Sequence, residues 1–374
     1  MIGTLAYYLI SKLNLHMKFK KIAVKIGSNV LTAADGTLDV SRMSALVGQI
    51  AQLHKKGVEI VLISSGAVAS GRSVLGLNKK MDVVDQRQLY SAVGQAKLIN
   101  HYWDLFAEHG ITVGQVLTTK ENFSSRRHYL NQRNCMQVML ENKVLPIVNE
   151  NDTVSVTELM FTDNDELSGL IASMMDMEAL IILSNIDGIF NGSPSDPTSK
   201  VIRKIEKGQD ISDFIQSTKS TFGRGGMGTK TTIARKIADQ GIDVFIANGK
   251  RNDILLDLLD KKDEVIYTRF VASTEDVSSV KKWIAHSEGF AKGEIHVNEN
   301  AAKALNGDKA VSLLPIGATK IVGEFEKDDI VKIIDANGSS LGVGKVQYES
   351  EKAREMLGKK NQKPLVHCDY LYLE

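Results

Sequence analysis

The sequence predicts an α/β protein: a mostly parallel sheet covered by helices on both faces, followed by a small, mostly β C-terminal domain. Two observations carry this. From about residue 20 to 250, short and uniformly apolar strands alternate with amphipathic helices, the pattern of a sheet buried on both sides. Beyond about residue 270 the pattern changes to short β-like runs separated by Gly, Asn and Asp turns.

The elements follow in order. Lys20–Ile26 reads as a buried strand ending at Gly27. Ser41 is placed to cap a helix running to about Lys56, and Glu59–Ile63 is the next strand. Ser64-Ser65-Gly66-Ala67 breaks that strand and opens another helix. The spacing then predicts a helix near 86–108, a strand at 111–117, a helix near 126–142 and a strand at 144–148. A helix near 165–176 precedes the strand Ala179–Leu183, and a helix beginning near Lys230 precedes Asp243–Ala247. In the tail, Ile295–Val297, Val311–Leu314, Ile321–Val322, Ile330–Ile334 and Leu341–Val346 read as strands. The expected domains are an extension over 1–16, an α/β domain over 17–270, a linker over 271–292 and a β-rich domain over 293–374.

Composition narrows the function. The 374 residues carry 46 Lys+Arg against 45 Asp+Glu, so the basic excess of a dedicated nucleic-acid binder is missing. Residues 277–374 hold 14 basic and 14 acidic side chains, which argues against RNA binding as the tail's main role. No apolar run is long enough to span a bilayer. Cys135 and Cys368 are far apart, which argues against a disulfide scaffold and fits a cytoplasmic protein. The eight histidines never fall at metal-ligand spacing, which argues against a zinc site, and no residue is assigned as a metal ligand.

In a sheet of this kind ligands gather beyond the carboxyl ends of the strands, and four segments stand there. Lys25-Ile26-Gly27-Ser28-Asn29 sets a cation beside backbone that can approach an anion closely; an ordinary surface turn has the same composition. Ser65, Gly66 and the small residues after them sit at a strand-to-helix junction, where free amides bind anions and where tight helix–sheet packing also selects small residues. Asn149-Glu150-Asn151-Asp152 and Thr162-Asp163-Asn164-Asp165 are two dense amide and carboxylate clusters. They are suited to holding an ammonium, orienting lysines, holding a metal through oxygen ligands or capping a helix. The fourth segment, Arg224-Gly225-Gly226-Met227-Gly228-Thr229-Lys230, has the logic of a phosphate-binding loop. It misses the P-loop pattern because Thr229 separates Gly228 from Lys230. Two lysines, two anion-binding loops and a central acidic cluster suit phosphoryl transfer, which needs positive charge on the moving group and little covalent chemistry from the protein.

Lys25–Leu31, Ser64–Gly71, Val148–Val154, Asp163–Ser168, Leu183–Phe190 and Gly225–Lys230 together resemble the glutamate 5-kinase family of the amino acid kinase superfamily. Gly293–Val297 and Ser312–Pro315 are similar to its PUA domain. The resemblance implies an αβα sandwich and ATP-dependent phosphorylation of the L-glutamate γ-carboxylate, the first step of proline biosynthesis. It further implies Mg²⁺ carried with ATP, feedback inhibition by proline, a dimer or tetramer, and hand-off of product to glutamyl phosphate reductase. Carried over by motif, Lys25, Lys230 and Asp165 would be catalytic. Ser65, Gly66, Asn149, Asp152, Asp163 and Asn164 would surround glutamate. Ser184, Asn185 and the Arg224–Lys230 loop, with Lys25, would line the ATP site. Asn185 stands where Asp is frequent and Gly228 where Ser is frequent. A kinase for N-acetylglutamate or aspartate is the nearest alternative, disfavoured by the Asn149–Asp152 cluster and the tail.

Overall fold

A computed structural model of the chain describes residues 18–76, 81–154, 161, 163–194, 196–211, 214, 226–260, 265–275, 277–307 and 310–373. The proposed extension at 1–16 lies outside the described residues. The described residues form two compact units. One runs to Lys120 and resumes over Gln132–Glu275; the other takes Glu121–Asn131 and everything after Glu275.

The first unit is built on an eight-stranded sheet of β1 (Lys21–Ile26), β2 (Glu59–Ser64), β3 (Thr112–Thr118), β4 (Val144–Glu150), β5 (Ala179–Ser184), β6 (Lys204–Ile205), β7 (Asp243–Asn248) and β8 (Tyr267–Phe270). Their order is β3-β4-β2-β1-β5-β7-β8-β6. Strands β3 to β7 in that order are parallel, whereas β8 runs antiparallel to β7 and closes that edge with β6. Central position explains composition: all six residues of β5 and five of six in β1 are buried. The chain winds from β1 outward on one side, then returns to β1's other side with β5. This reversal opens a crevice at the carboxyl ends of β1 and β5.

Helices α1 (Ser28–Leu31), α2 (Val40–Lys55), α3 (Ala67–Leu75), α4 (Val83–Ala107), α5 (Arg126–Glu141, of which Arg126–Asn131 belongs to the second unit), α6 (Asn164–Met174), α7 (Met227–Ala238) and α8 (Ile254–Leu259) accompany the strands. Two starts differ from expectation. The carboxylate of Asp39, not Ser41, caps α2 by accepting from the Arg42 N–H at 2.9 Å, because the backbone becomes helical at Val40. Helix α7 starts at Met227 behind Gly226, which places Lys230 inside its first turn.

Helices α3 and α4 touch backbone to backbone. A Cβ on Gly94 would lie 1.8 Å from the Ala67 carbonyl oxygen and 2.4 Å from the Gly71 nitrogen. Gly94→Ala is therefore expected to lower unfolding stability by about 2 kcal/mol or more through overpacking, read as a fall in the urea midpoint. An unchanged midpoint would show that α3 can shift freely.

The second unit contains α9 (Ser279–Ala285), β9 (Gly293–Val297), α10 (Glu299–Leu305), β10 (Ala318–Gly323), β11 (Ile330–Ile334), β12 (Ser340–Val346), α11 (Ser350–Met356) and β13 (Val366–Leu373). Its sheet order is β10-β9-β11-β12-β13, around a core that includes Ile295, Val331, Ile333 and Val366. The Trp283 indole on α9 donates to the Phe123 carbonyl at 3.1 Å, joining 121–131 to this unit. Val311–Leu314 is not a strand; Leu313 makes an isolated bridge to Val366, and β13, unforeseen from sequence, completes the sheet. Among the described residues no helix is long and apolar enough to cross a membrane.

Candidate active site

All four segments singled out in sequence contribute residues that converge at the carboxyl ends of the central strands. Lys25, near the end of β1, is buried by its position between β2 and β5. Asp165 stands in the first turn of α6 and is fully buried. Lys230 stands in the first turn of α7. The Lys25 ammonium lies 2.5 Å from Asp165 Oδ1 and the Lys230 ammonium 2.6 Å from Asp165 Oδ2. One carboxylate thus bridges two cations through its two oxygens. Burial alone would push the Asp165 carboxyl up, but Lys25 and Lys230 outweigh it and hold the carboxyl down at about 2. Each ammonium has three donors, so both keep N–H groups for another anion. A Cβ on Gly27 would come within 3.6 Å of the Lys25 ammonium and 3.0 Å of the Leu183 carbonyl oxygen, which keeps this position small.

Asp163 caps α6, accepting from the Asp165 and Glu166 N–H groups at 2.9 and 3.1 Å through Oδ1. Its Oδ2 is buried without a hydrogen-bond partner. Burial first, and then the Asp165 charge, push the Asp163 carboxyl up to about 6. In an unfolded chain it would ionise near 4, so the folded form binds more protons between the two values. The cost to folding is absent at low pH and accrues as pH rises from about 4 to about 6. Asp163→Asn keeps the cap and removes that cost. Its stability is expected to exceed wild type by up to about 2 kcal/mol at pH 7, with the difference vanishing near pH 4. A pH-independent difference in urea unfolding would contradict this.

Asn164 reaches back over the crevice. Its amide nitrogen lies 2.9 Å from Ser65 Oγ and 3.1 Å from both the Ser64 carbonyl and Asn149 Oδ1. Ser65 leads into α3 through Gly66, whose φ of +109° a side chain would strain. No side-chain hydrogen bond caps α3. Beneath, the Ser64 hydroxyl lies 2.7 Å from the buried Tyr102 hydroxyl.

The Asn149–Asp152 loop is held by a face of α4 that sequence reading missed. Gln95 accepts from the Asn149 amide at 2.9 Å, Ser91 donates to Asp152 at 3.2 Å, and Arg87 pairs with Glu150 at 2.9 Å and with Asp152. Residues 87, 91 and 95 recur every fourth position and so share one helix face; that polar stripe was the available signal. Glu150 also accepts from the Phe161 N–H at 3.0 Å.

The remaining expected residues lie at the end of β5 and the start of α7. Ser184 Oγ is 3.4 Å from Asn185 Oδ1, and Gly249 N–H donates to the Ser184 carbonyl at 2.8 Å. Gly226 caps α7, and Met227, Gly228, Thr229 and Lys230 form its first turn; Arg224 and Gly225 lie outside the described residues. Three residues not assigned from sequence stand on this side: Arg251 clamps Asp187 at 2.7 and 2.8 Å, and the Asn248 amide donates to Asp187 at 3.0 Å. The Arg251 hydrogen bonds pull the Asp187 carboxyl down.

A family model described as the amino acid kinase family matches residues 20–248, and one described as the PUA domain matches 293–367. The chain is 72% identical to a glutamate 5-kinase of Bacteroides thetaiotaomicron, over 96% of this chain and 99% of that protein. It is 46% identical to a glutamate 5-kinase of Chlorobaculum tepidum, over 96% of this chain and 98% of that protein. Among solved structures, carbamate kinase from Giardia lamblia bound to AMP-PNP is similar with a TM-score of 0.50 and 17% identity, over 68% of this chain and 99% of that one. That last likeness is one of fold.

Proposed function

The chain belongs to the glutamate 5-kinase family within the amino acid kinases, and on that premise we propose a mechanism, a regulator and a metal for its reaction. It is an enzyme that phosphorylates glutamate at the expense of ATP, in proline biosynthesis. In the proposed mechanism an oxygen of the γ-carboxylate attacks the γ-phosphorus of ATP. The new O–P bond forms as the bond to the β,γ-bridging oxygen breaks, giving glutamyl 5-phosphate and ADP. A carboxylate is already ionised at neutral pH, so no general base is required.

Lys25 and Lys230 would neutralise the moving phosphoryl group, and Asp165 would keep both ammoniums in place before substrate arrives, so that no reorganisation is needed at the moment of transfer. The observation that carries this reading is the single buried carboxylate holding two lysines from different elements. Ser65, Gly66, Asn149, Asp152, Asp163 and Asn164 are the proposed glutamate contacts. The proposed ATP contacts are Lys25, Ser184, Asn185 and the loop through Lys230. Mg²⁺ supplies charge neutralisation on phosphate oxygens when it enters with the nucleotide. Asp163 suits it, because Oδ2 is a buried acceptor without a hydrogen-bond partner. Proline is the proposed feedback inhibitor; a dimer or tetramer, a cytoplasmic location and hand-off of the labile product to a reductase complete the proposal.

The test is ATP-dependent acyl-phosphate formation, trapped with hydroxylamine, on glutamate, aspartate and N-acetylglutamate, each with and without proline. Activity on glutamate alone, suppressed by proline, is expected. Preferential activity on another acid would overturn the substrate; insensitivity to proline would overturn the regulator.

A further inference from the structure

In the second unit, β13 leaves its ladder at one place. Its pairing with β12 passes from Val346↔Val366 to Gly344↔Leu371, so two residue steps on β12 face five on β13. The surplus falls in His367–Tyr370. Successive side chains of a regular strand alternate faces, whereas a bulge re-aims them. Here three consecutive side chains turn toward one point. His367 Nδ1 lies 3.7 Å from Cys368 Sγ and 3.3 Å from Asp369 Oδ2, and Cys368 Sγ lies 3.9 Å from Asp369 Oδ1. The Asp369 N–H donates to His367 Nδ1 at 3.2 Å. That nitrogen therefore bears a lone pair, with the ring proton on Nε2, and an ion bound there would take that lone pair in place of the Asp369 N–H. The Cys368 N–H is anchored on Ser312 Oγ at 2.9 Å.

We propose that His367, Cys368 and Asp369 form a binding site for a borderline-soft divalent cation of the Zn²⁺ class. Imidazole, thiolate and carboxylate are three of the ligand types zinc accepts, with water as a fourth. Tetrahedral zinc with ordinary bond lengths sets ligand–ligand separations of roughly 3.3–3.6 Å. One ligand atom from each of the three residues lies within 4.8 Å of the others, wider than this range, and the two short Asp369 contacts are made by different carboxylate oxygens, so closing the set around an ion takes rotation of the Asp369 side chain. A thiolate also selects against Mg²⁺, which separates this site chemically from the nucleotide's metal. The sequence argument against a zinc site rested on spaced ligand motifs; three adjacent ligands become a candidate site only through the bulge.

The experiment titrates the full-length Cys135→Ser protein with Co²⁺ and then with Zn²⁺. Cys135 is the other free thiol and is exposed. One equivalent of Co²⁺ is expected to bind with thiolate charge-transfer absorption and the intense visible bands of a four-coordinate ion, and Zn²⁺ is expected to displace it. Adding Cys368→Ser should abolish the charge-transfer band. His367→Ala and Asp369→Asn should each weaken binding by at least about tenfold, with phosphoryl transfer retained. Asp369 is 75% exposed along its side chain, so its variant tests the site without disturbing the fold. Absence of stoichiometric binding, or a spectrum unchanged by Cys368→Ser, would overturn the proposal.

Discussion

Asp165→Asn is expected to cut turnover by about 10²–10³-fold and to lower unfolding stability by about 3 kcal/mol. The substitution preserves volume and removes one charge from beneath two ammoniums. Breaking a buried ion pair by deleting one partner leaves the other charge uncompensated, at a cost of about 3–5 kcal/mol. The low end applies because the Lys230 side chain is 14% exposed and can turn toward water, whereas that of Lys25 is 7% exposed. The pH dependence separates the charge from the packing. Asp165 is held down at about 2, so its contribution is fully present above about pH 4 and is lost as pH falls through 2. Its own contribution to the difference between wild type and variant should then stay constant from pH 5 to 8. A second consequence concerns Asp163, whose carboxyl is raised in part by the Asp165 charge. In the variant that carboxyl should titrate below 6, observable by carboxyl-selective NMR. Wild-type turnover together with wild-type stability would remove Asp165 from both roles.

How much of this site the sequence discloses depends on the range of the interactions involved. The central strands are legible because burial on both faces demands uniform apolarity, which Ala179–Leu183 displays over its whole length. The Asp163 cap is legible because capping is local, settled within three residues. The union of Lys25, Asp165 and Lys230 is tertiary: the residue types of the acidic cluster suit orienting lysines, but nothing in the spacing states that one carboxylate serves both, and family resemblance was needed to single out these three. Arg87, Ser91 and Gln95 escaped because an amphipathic helix was read for its apolar face, while their polar stripe meets the Asn149–Asp152 loop. β13 escaped because its bulge interrupts the two-residue alternation through which a strand is recognised. The Asp187–Arg251 clamp joins residues from two loops and has no local signature.

Lys230→Ala should separate catalysis from architecture. Asp165 would retain Lys25 at 2.5 Å, so its carboxylate stays paired and the fold loses less than in Asp165→Asn: a change of about 1–2 kcal/mol is expected, for the buried Asp165 Oδ2 left without its partner. The transition state fares differently. Charge that builds on the transferring oxygens meets one ammonium instead of two, and removing one preorganised donor of this kind costs about 10²–10³ in kcat, or about 3–4 kcal/mol of barrier. The KM for glutamate should move only a few fold if Lys230 acts on the phosphoryl group and not on the amino acid. The double variant with Asp165→Asn gives the decisive comparison. If Asp165 works by holding the lysines, its loss adds little once Lys230 is gone, and the two effects on kcat fall well short of additive. Full additivity would assign Asp165 a separate role, and a kcat within a few fold of wild type in Lys230→Ala alone would dismiss the two-lysine mechanism.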